Sequence, residues 1–389
     1  MKKLIIPILA LFICVLFIIE QTSAIPAYAR KYDMSCNVCH SPMPKLKPYG
    51  LDFAADGYQL KDKESPRFTR ETGDQDLLLM RELPLALRID GYSRYQPQNE
   101  PKADIQWPFI VKILSSGQIA KDISYFFYFL FDERGEVAGV EDAFLYFNNI
   151  GGAEFDVMAG QYQVADPIFK RELRPTFEDY EIYKVKPEMS KADLTYDRGL
   201  MLNYTLPTET DLFVSVLNGN GIGPMSESGF DDDPYKNYFF RLAQPITDNV
   251  QIGGLGYRGK ESRTDTLGTL NNNITMFGAD ATIETENFEL SGQFVYRKDK
   301  NPLFESIEES KASSGGFVQF MYAPEGDKSK WYLFLLYNKI KSDIDYLNYH
   351  SVAGNFSYLL ARNLKFMCEY GYDIELKKNS FTIGFVTAF

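Results

Sequence analysis

The chain has 389 residues, 53 acidic against 41 basic side chains, a formal charge of −12, and only two histidines and four cysteines. That acidic balance argues against nucleic acid as a partner and suits attraction of cations. The length would ordinarily mean two or three soluble domains, an expectation that the downstream pattern overrides.

Lys2 and Lys3 precede an uncharged run from Leu4 to Ile19, and Thr22-Ser23-Ala24 offers small residues for cleavage, so residues 1–24 read as a secretory signal peptide. The apolar run falls short of the roughly 20 residues of a membrane-spanning helix, which makes a retained anchor the weaker reading. Cys14 lies inside the removed segment, and Phe12 and Ile13 before it do not fit a lipoprotein signal.

Residues 25–60 carry Cys36-Asn37-Val38-Cys39-His40, the C-x-x-C-H pattern of covalent c-type haem attachment. Two thiols add across the porphyrin vinyl groups, and the adjacent histidine binds iron from one face. A disulfide, a redox dithiol or half a zinc site could also use Cys36 and Cys39. Zinc would need two more matched ligands, yet the other candidates, Cys14, Cys368 and His350, are isolated, and a thioredoxin-like motif would need a βαβ context. Export supports haem, because c-type haem is attached outside the cytoplasm. Pro48 to Asp56 predicts one short helix ended by Gly57, with Tyr49 and Phe53 one turn apart and able to cover a porphyrin face or simply pack a small core. A segment this short buries a haem poorly alone, so it needs a host.

Residues 61–76 are charged, with Pro66 and Gly73, and read as a linker. From Pro84 onward apolar and polar residues alternate in segments of about ten, the signature of a transmembrane β-barrel over residues 77–389. In the first segment Leu85, Leu87 and Ile89 point one way and Arg88, Asp90 and Arg94 the other. Sixteen strands are predicted, near 84–96, 106–116, 122–133, 140–149, 154–162, 198–206, 211–218, 236–244, 249–258, 272–283, 286–297, 315–324, 329–339, 347–358, 363–373 and 380–389. Connections after even strands are short, whereas Val164 to Arg198, Gly219 to Tyr235, Gly259 to Asn271 and Asp299 to Gly315 read as long extracellular loops. This puts both termini on the periplasmic side. The 26 tyrosines and 30 phenylalanines suit aromatic girdles, and the alternating end Phe381 to Phe389 resembles the terminal strand of outer-membrane proteins. The fold class is therefore all-β, an antiparallel transmembrane barrel of about sixteen strands with a small amino-terminal haem segment predicted to lie in the lumen.

Ile25-Pro26-Ala27-Tyr28-Ala29-Arg30, Met34, C-x-x-C-H, Pro44, Leu46, Tyr49-Gly50, Phe53 and Gly57-Tyr58, followed by a barrel, together resemble the fused outer-membrane cytochrome-porins of iron-oxidising bacteria. The resemblance covers the architecture of the whole chain and about 35 residues of motif. It implies one c-type haem on Cys36 and Cys39, His40 as axial iron ligand, an outer-membrane location, and electrons passing from extracellular ferrous iron to a periplasmic cytochrome or other carrier.

It leaves the distal ligand open. His350 is the one other histidine and shares a strand face with Val352 and Phe356, towards lipid. Methionine would raise the haem potential relative to a second histidine, and the candidates are Met34, Met43, Met158, Met201, Met276, Met321 and Met367, the last five inward by alternation. Asp231, Asp232, Asp233, Glu305, Glu308 and Glu309 either steer cations or are solvated loop acids. The runner-up function is a diffusion porin with a structural haem plug, for which Leu217-Asn218-Gly219-Asn220-Gly221 resembles a strand-to-loop junction of phosphate-selective porins. A third reading is an outward electron conduit to extracellular acceptors.

Overall fold

The computed structural model describes residues 27–60, 69–70, 72–74, 77–165, 171–225, 229–265 and 268–389. The signal segment and most of the linker lie outside them. A two-residue ribbon pairs β1 (Thr69–Arg70) with β2 (Leu79–Met80), so the linker's end carries some sheet.

The wall then runs β3 (Leu85–Tyr95), β4 (Ala103–Ala120), β5 (Ile123–Glu133), β6 (Val140–Phe147), β7 (Phe155–Gln163), β8 (Tyr196–Thr205), β9 (Asp211–Leu217) and β10 (Asn237–Thr247). It continues with β11 (Val250–Asp265), β12 (Gly268–Glu284), β13 (Phe288–Asp299), β14 (Lys311–Tyr322), β15 (Trp331–Ser342), β16 (Tyr349–Ala361), β17 (Leu364–Asp373) and β18 (Lys378–Ala388). These sixteen strands close into one barrel of antiparallel neighbours, sealed where β18 pairs with β3 and where Leu87 and Phe389 exchange backbone bonds of 2.7 and 2.9 Å. Closure leaves no unpaired edge, as a wall in hydrocarbon requires.

The two-residue period sorts the side chains. On β13, Phe288, Leu290 and Phe294 are exposed while Glu289, Ser291, Gln293, Arg297 and Asp299 are buried. On β15, Leu333, Leu335 and Tyr337 are exposed and Phe334, Leu336 and Asn338 buried. An apolar exterior around a polar and ion-paired interior marks a membrane-spanning barrel. Inside, Arg241 pairs with Asp280, and Arg88 with Asp90 at 2.6 Å, as the alternation of β3 predicts.

Two long connections differ from expectation. Gly259 to Asn271 is largely strand, because β11 and β12 stay paired out to Asp265 opposite Gly268. Residues 171–195 turn back into the lumen. Tyr180, Ile182, Tyr183, Val185 and Leu194 on this loop are buried against Phe239, Tyr257, Ile274, Phe317 and Leu336 of the wall. Barrel side chains also satisfy its backbone. The Glu369 carboxylate accepts from the Phe177 and Glu178 amides at 2.7 and 2.8 Å, and Asn338 donates to the Asp179 carbonyl at 3.0 Å. Arg297 donates to the Val185 and Ala192 carbonyls at 3.0 and 2.6 Å.

Residues 27–60 enter from the short-turn end. Lys45 pairs with Glu289 beside the β12–β13 turn, Lys47 with Asp327 in the β14–β15 turn, and Asn148 of the β6–β7 turn donates to the Asp56 carbonyl at 3.1 Å. The carboxy terminus lies at the same end, where Asn363 donates to the Ala388 carbonyl at 2.9 Å.

Arg297→Ala should strand Asp299 and two loop carbonyls, a cost of about 3–5 kcal/mol for an uncompensated buried partner. We expect limited proteolysis to begin within residues 171–195 while the barrel keeps its heat-modifiable gel mobility.

Candidate functional site

Helix α1 (Ala27–Tyr32), a 3-10 turn at Cys36–Val38 and helix α2 (Pro48–Ala55) build the amino-terminal segment. Proline opens α2, as expected, and Gly57 follows its end with φ +65°. A Cβ at Gly57 would also stand 2.4 Å from Asn148 Nδ2, so the turn needs glycine on two counts. An aromatic cluster fixes the segment: Tyr28 meets Phe53 edge-on at 5.1 Å, and Tyr58 stacks on Phe126 of the wall at 4.7 Å.

After the turn Cys36–Val38, the Cys39 amide at 3.2 Å and the His40 amide at 2.9 Å both donate to the Cys36 carbonyl. The chain then doubles back, His40 bridging Leu46 and the Lys47 amide donating to the Cys39 carbonyl at 3.0 Å. This hairpin brings the Pro44 carbonyl within 2.9 Å of His40 Nδ1 and the Lys45 carbonyl within 3.3 Å. Carbonyls only accept, so Nδ1 carries the proton and Nε2 keeps its lone pair. Burial also pushes the imidazole pKa down, favouring the neutral form that ligates metal.

Burial raises the Cys36 and Cys39 thiol pKa values, with Arg362 opposing at Cys36 and Lys47 at Cys39. A reactive redox dithiol needs the reverse shift. Among the described residues no group of three or more His, Cys, Asp or Glu side chains gathers as a metal set, which leaves the half-zinc reading without its other half.

Cys36, Cys39 and His40 line a single cavity of about 200 Å³ between the segment and the wall. Leu46, Phe53, Tyr58, Leu114, Phe126 and Phe144 give it largely apolar sides, and Arg88, Lys112 and Glu172 give it a polar end. Gly50 lets α2 lie directly on the motif, since a Cβ there would stand 2.4 Å from the Cys39 oxygen. The residues fit the group that the motif implies: two thiols, a neutral imidazole with a free nitrogen, and walls for a flat apolar ring.

Phe53 faces this cavity as expected. Tyr49 does not; it is exposed, and Gly50 takes the position against the motif. Of the seven methionines, Met43 alone lines the cavity. Met158 and Met201 line a separate small cavity beneath α2, Met276 lies in the main lumen cluster, Met321 packs with Tyr332 and Phe334, and Met367 is buried beside Tyr92 and Val386. Met34 is half-buried near α1. His350 packs edge-on against exposed Tyr337, on the outer face. The loop acids are engaged locally: Asp231 with Lys236, Asp232 with Lys191, Glu308 with Lys300 and Glu309 with Lys311, while Asp233 accepts from the Ser262 amide at 3.0 Å. The solvated-loop reading is the one these pairs support.

Sequence reasoning did not single out Lys112, Tyr128, Glu172 or Tyr196. The Tyr128 hydroxyl donates to Glu141 and lies 2.6 Å from the Tyr196 hydroxyl. Tyr128 lines the Cys36–His40 cavity, whereas Glu141 and Tyr196 line a second cavity of about 610 Å³ under the β7–β8 and β9–β10 loops. One hydrogen-bonded junction therefore separates the two chambers.

No protein-family model matches the sequence, and no curated protein does. Solved structures do. The anion-selective porin from Comamonas acidovorans is 9% identical with a TM-score of 0.58, over 79% of this chain and 99% of that one. The trimeric form of OmpT from Vibrio cholerae is 10% identical with a TM-score of 0.56 over 79% and 99%. The outer-membrane channel DcaP of Acinetobacter baumannii is 14% identical with a TM-score of 0.54 over 79% and 97%. The chain has the fold of an outer-membrane porin. With an even number of antiparallel strands, an apolar exterior, and residues 27–60 and the carboxy terminus at the short-turn end, this porin fold belongs in an outer membrane of the Gram-negative type. Its lipid-facing partner is the bilayer itself.

Gly50→Val should push α2 off the motif, an overpacking cost of about 1–3 kcal/mol. We expect less haem stain on the denatured band, with unchanged heat modifiability of the barrel.

Proposed function

We propose that this porin-fold chain is an outer-membrane c-type cytochrome that passes single electrons between a donor at its outer face and an acceptor in the periplasm. One observation carries the reading: a complete C-x-x-C-H set lines an apolar lumen cavity, with His40 Nδ1 tied to the Pro44 carbonyl so that Nε2 is free. Bound there, a c-type haem supplies reversible one-electron exchange. Cys36 and Cys39 would tether such a group and His40 would ligate its iron, while Phe53, Phe126 and Phe144 make that side of the cavity apolar and would exclude water from it. The Tyr128–Tyr196 hydrogen bond links the wall of this cavity to the outer chamber. Extracellular ferrous iron as donor and a periplasmic cytochrome as acceptor rest on the family resemblance, because four of the six loop acids are already in ion pairs.

The second reading, a diffusion porin with a haem plug, is favoured by the fold, since its structural neighbours include an anion-selective porin. Against it stand the lumen-filling segment and the inward loop.

Intact cells that also express cytochrome maturation machinery should show prompt appearance of the reduced-haem band when ferrous iron is added outside, including a chelate too bulky for the lumen. Liposomes carrying the protein should not swell in sugars or phosphate. Swelling with no outside reduction would support the diffusion porin instead.

Met43 is the candidate distal ligand that the cavity retains. Alanine at Met34, Met158, Met201, Met276, Met321 or Met367 should leave the ferric sulfur-to-iron near-infrared band unchanged, and Met43→Ala should abolish it.

A further inference from the structure

The polar end of the Cys36–His40 cavity holds two cations of different standing. Arg88 is committed: it donates to both Asp90 carboxylate oxygens at 2.9 and 2.6 Å and to the Glu172 carbonyl at 3.0 Å. Lys112 is not. Its side chain is 2% exposed, its ammonium makes no hydrogen bond among the described residues, and its nearest carboxylate, Glu172, stands 3.8 Å away. The Tyr128 ring covers one side at 4.4 Å. A buried ammonium has three donors to satisfy, and leaving them unmet costs free energy that the fold has no visible reason to bear.

Glu172 does not remove the demand. It lies between Lys112 and Arg171, 3.3 Å from the latter, so its charge is shared. Arg171 and Arg174 turn in turn to Asp179, at 2.8 and 3.7 Å, and Lys184 also pairs with Asp179, at 2.7 Å. The loop cations are thus gathered on Asp179, and although Arg174 Nε finds no hydrogen-bond partner it does not line this cavity; of the cations that do, Arg88 and Lys112, Lys112 is the one with donors to spare. The apolar walls would accept a flat ring, and the ammonium at their end would accept an anionic group on its edge. A c-type haem has that form, with two carboxylates on one edge.

We propose that Lys112 is the seat of one haem carboxylate, so that the carboxylate edge of the ring points to the inward loop and away from the periplasmic mouth. This rests on the haem reading. The ion pair replaces a long Glu172 contact with a charge-assisted hydrogen bond. It also brings a positive charge near the iron, which favours the reduced, less positive state. The ring is oriented by chemistry at both ends, thioethers below and ammonium above.

The test uses the full chain with covalently attached haem, checked first by haem stain and heat modifiability. Lys112→Met should lower the midpoint potential and shift the propionate bending band in resonance Raman spectra, while Lys112→Arg restores both towards the parent. Amine acetylation followed by peptide mass spectrometry should label Lys112 several-fold more in the Cys36→Ser/Cys39→Ser protein than in the haem-loaded one. Unchanged potential and Raman band in Lys112→Met would overturn the proposal. So would conversion of its iron from low to high spin, which would make Lys112 an axial ligand rather than a carboxylate seat. Absence of haem from the parent protein would defeat the haem reading itself, and the inference with it.

Discussion

Hydrocarbon offers a backbone no hydrogen-bonding partner, and the rest of this molecule follows from that constraint. The wall must satisfy itself, so sixteen strands pair in succession and the last returns to the first through Leu87 and Phe389. Closure fixes which side chains see lipid. Every second residue then faces inward, and the lumen inherits the charged and polar half of each strand. The problem this creates is internal: a lumen lined by Arg88, Lys112, Arg241, Arg297, Glu369 and Lys365 must be filled with water or with matching groups.

The chain fills it with its own segments. From one end residues 171–195 enter, their backbone held by Glu369, Asn338 and Arg297. From the other end come residues 27–60, anchored at the short turns through Lys45, Lys47 and Asp56. Between them remains the cavity of Cys36, Cys39 and His40. The barrel thereby gives a segment of some thirty residues the apolar surroundings it could not build alone. The host also brings the Tyr128–Tyr196 junction, which joins that cavity to the outward chamber.

Much of this was legible in the sequence because a period of two is a strong signal when one face must be apolar. Strand number, the short turns, the inward Arg88 and Asp90, and the outward His350 all followed from alternation. The inward loop was not legible. Its Tyr180, Ile182 and Tyr183 have no strand period, and the barrel side chains that satisfy its backbone lie 69 to 192 residues away. The hairpin of β11 and β12 was missed because Gly, Thr and Asn between Gly259 and Asn271 read as loop, although pairing carries the strands through them. At the site, five contiguous residues announced Cys36, Cys39 and His40. Lys112 and Tyr128 looked like ordinary strand positions, since only the closed wall sets them opposite the motif. Methionine candidates could be ranked by face from sequence, but only three dimensions separate Met43 from those elsewhere in the lumen.

The central claim is that the lumen cavity holds a haem bonded to Cys36 and Cys39. Its most direct measurement is peptide mass spectrometry of protein matured in the periplasm, read together with a pyridine haemochrome spectrum. The account predicts one haem per chain, carried by the peptide containing Cys36 to His40 through two thioethers. Recovery of that peptide with free thiols or a Cys36–Cys39 disulfide, from cells whose other c-type cytochromes are fully matured, would contradict it.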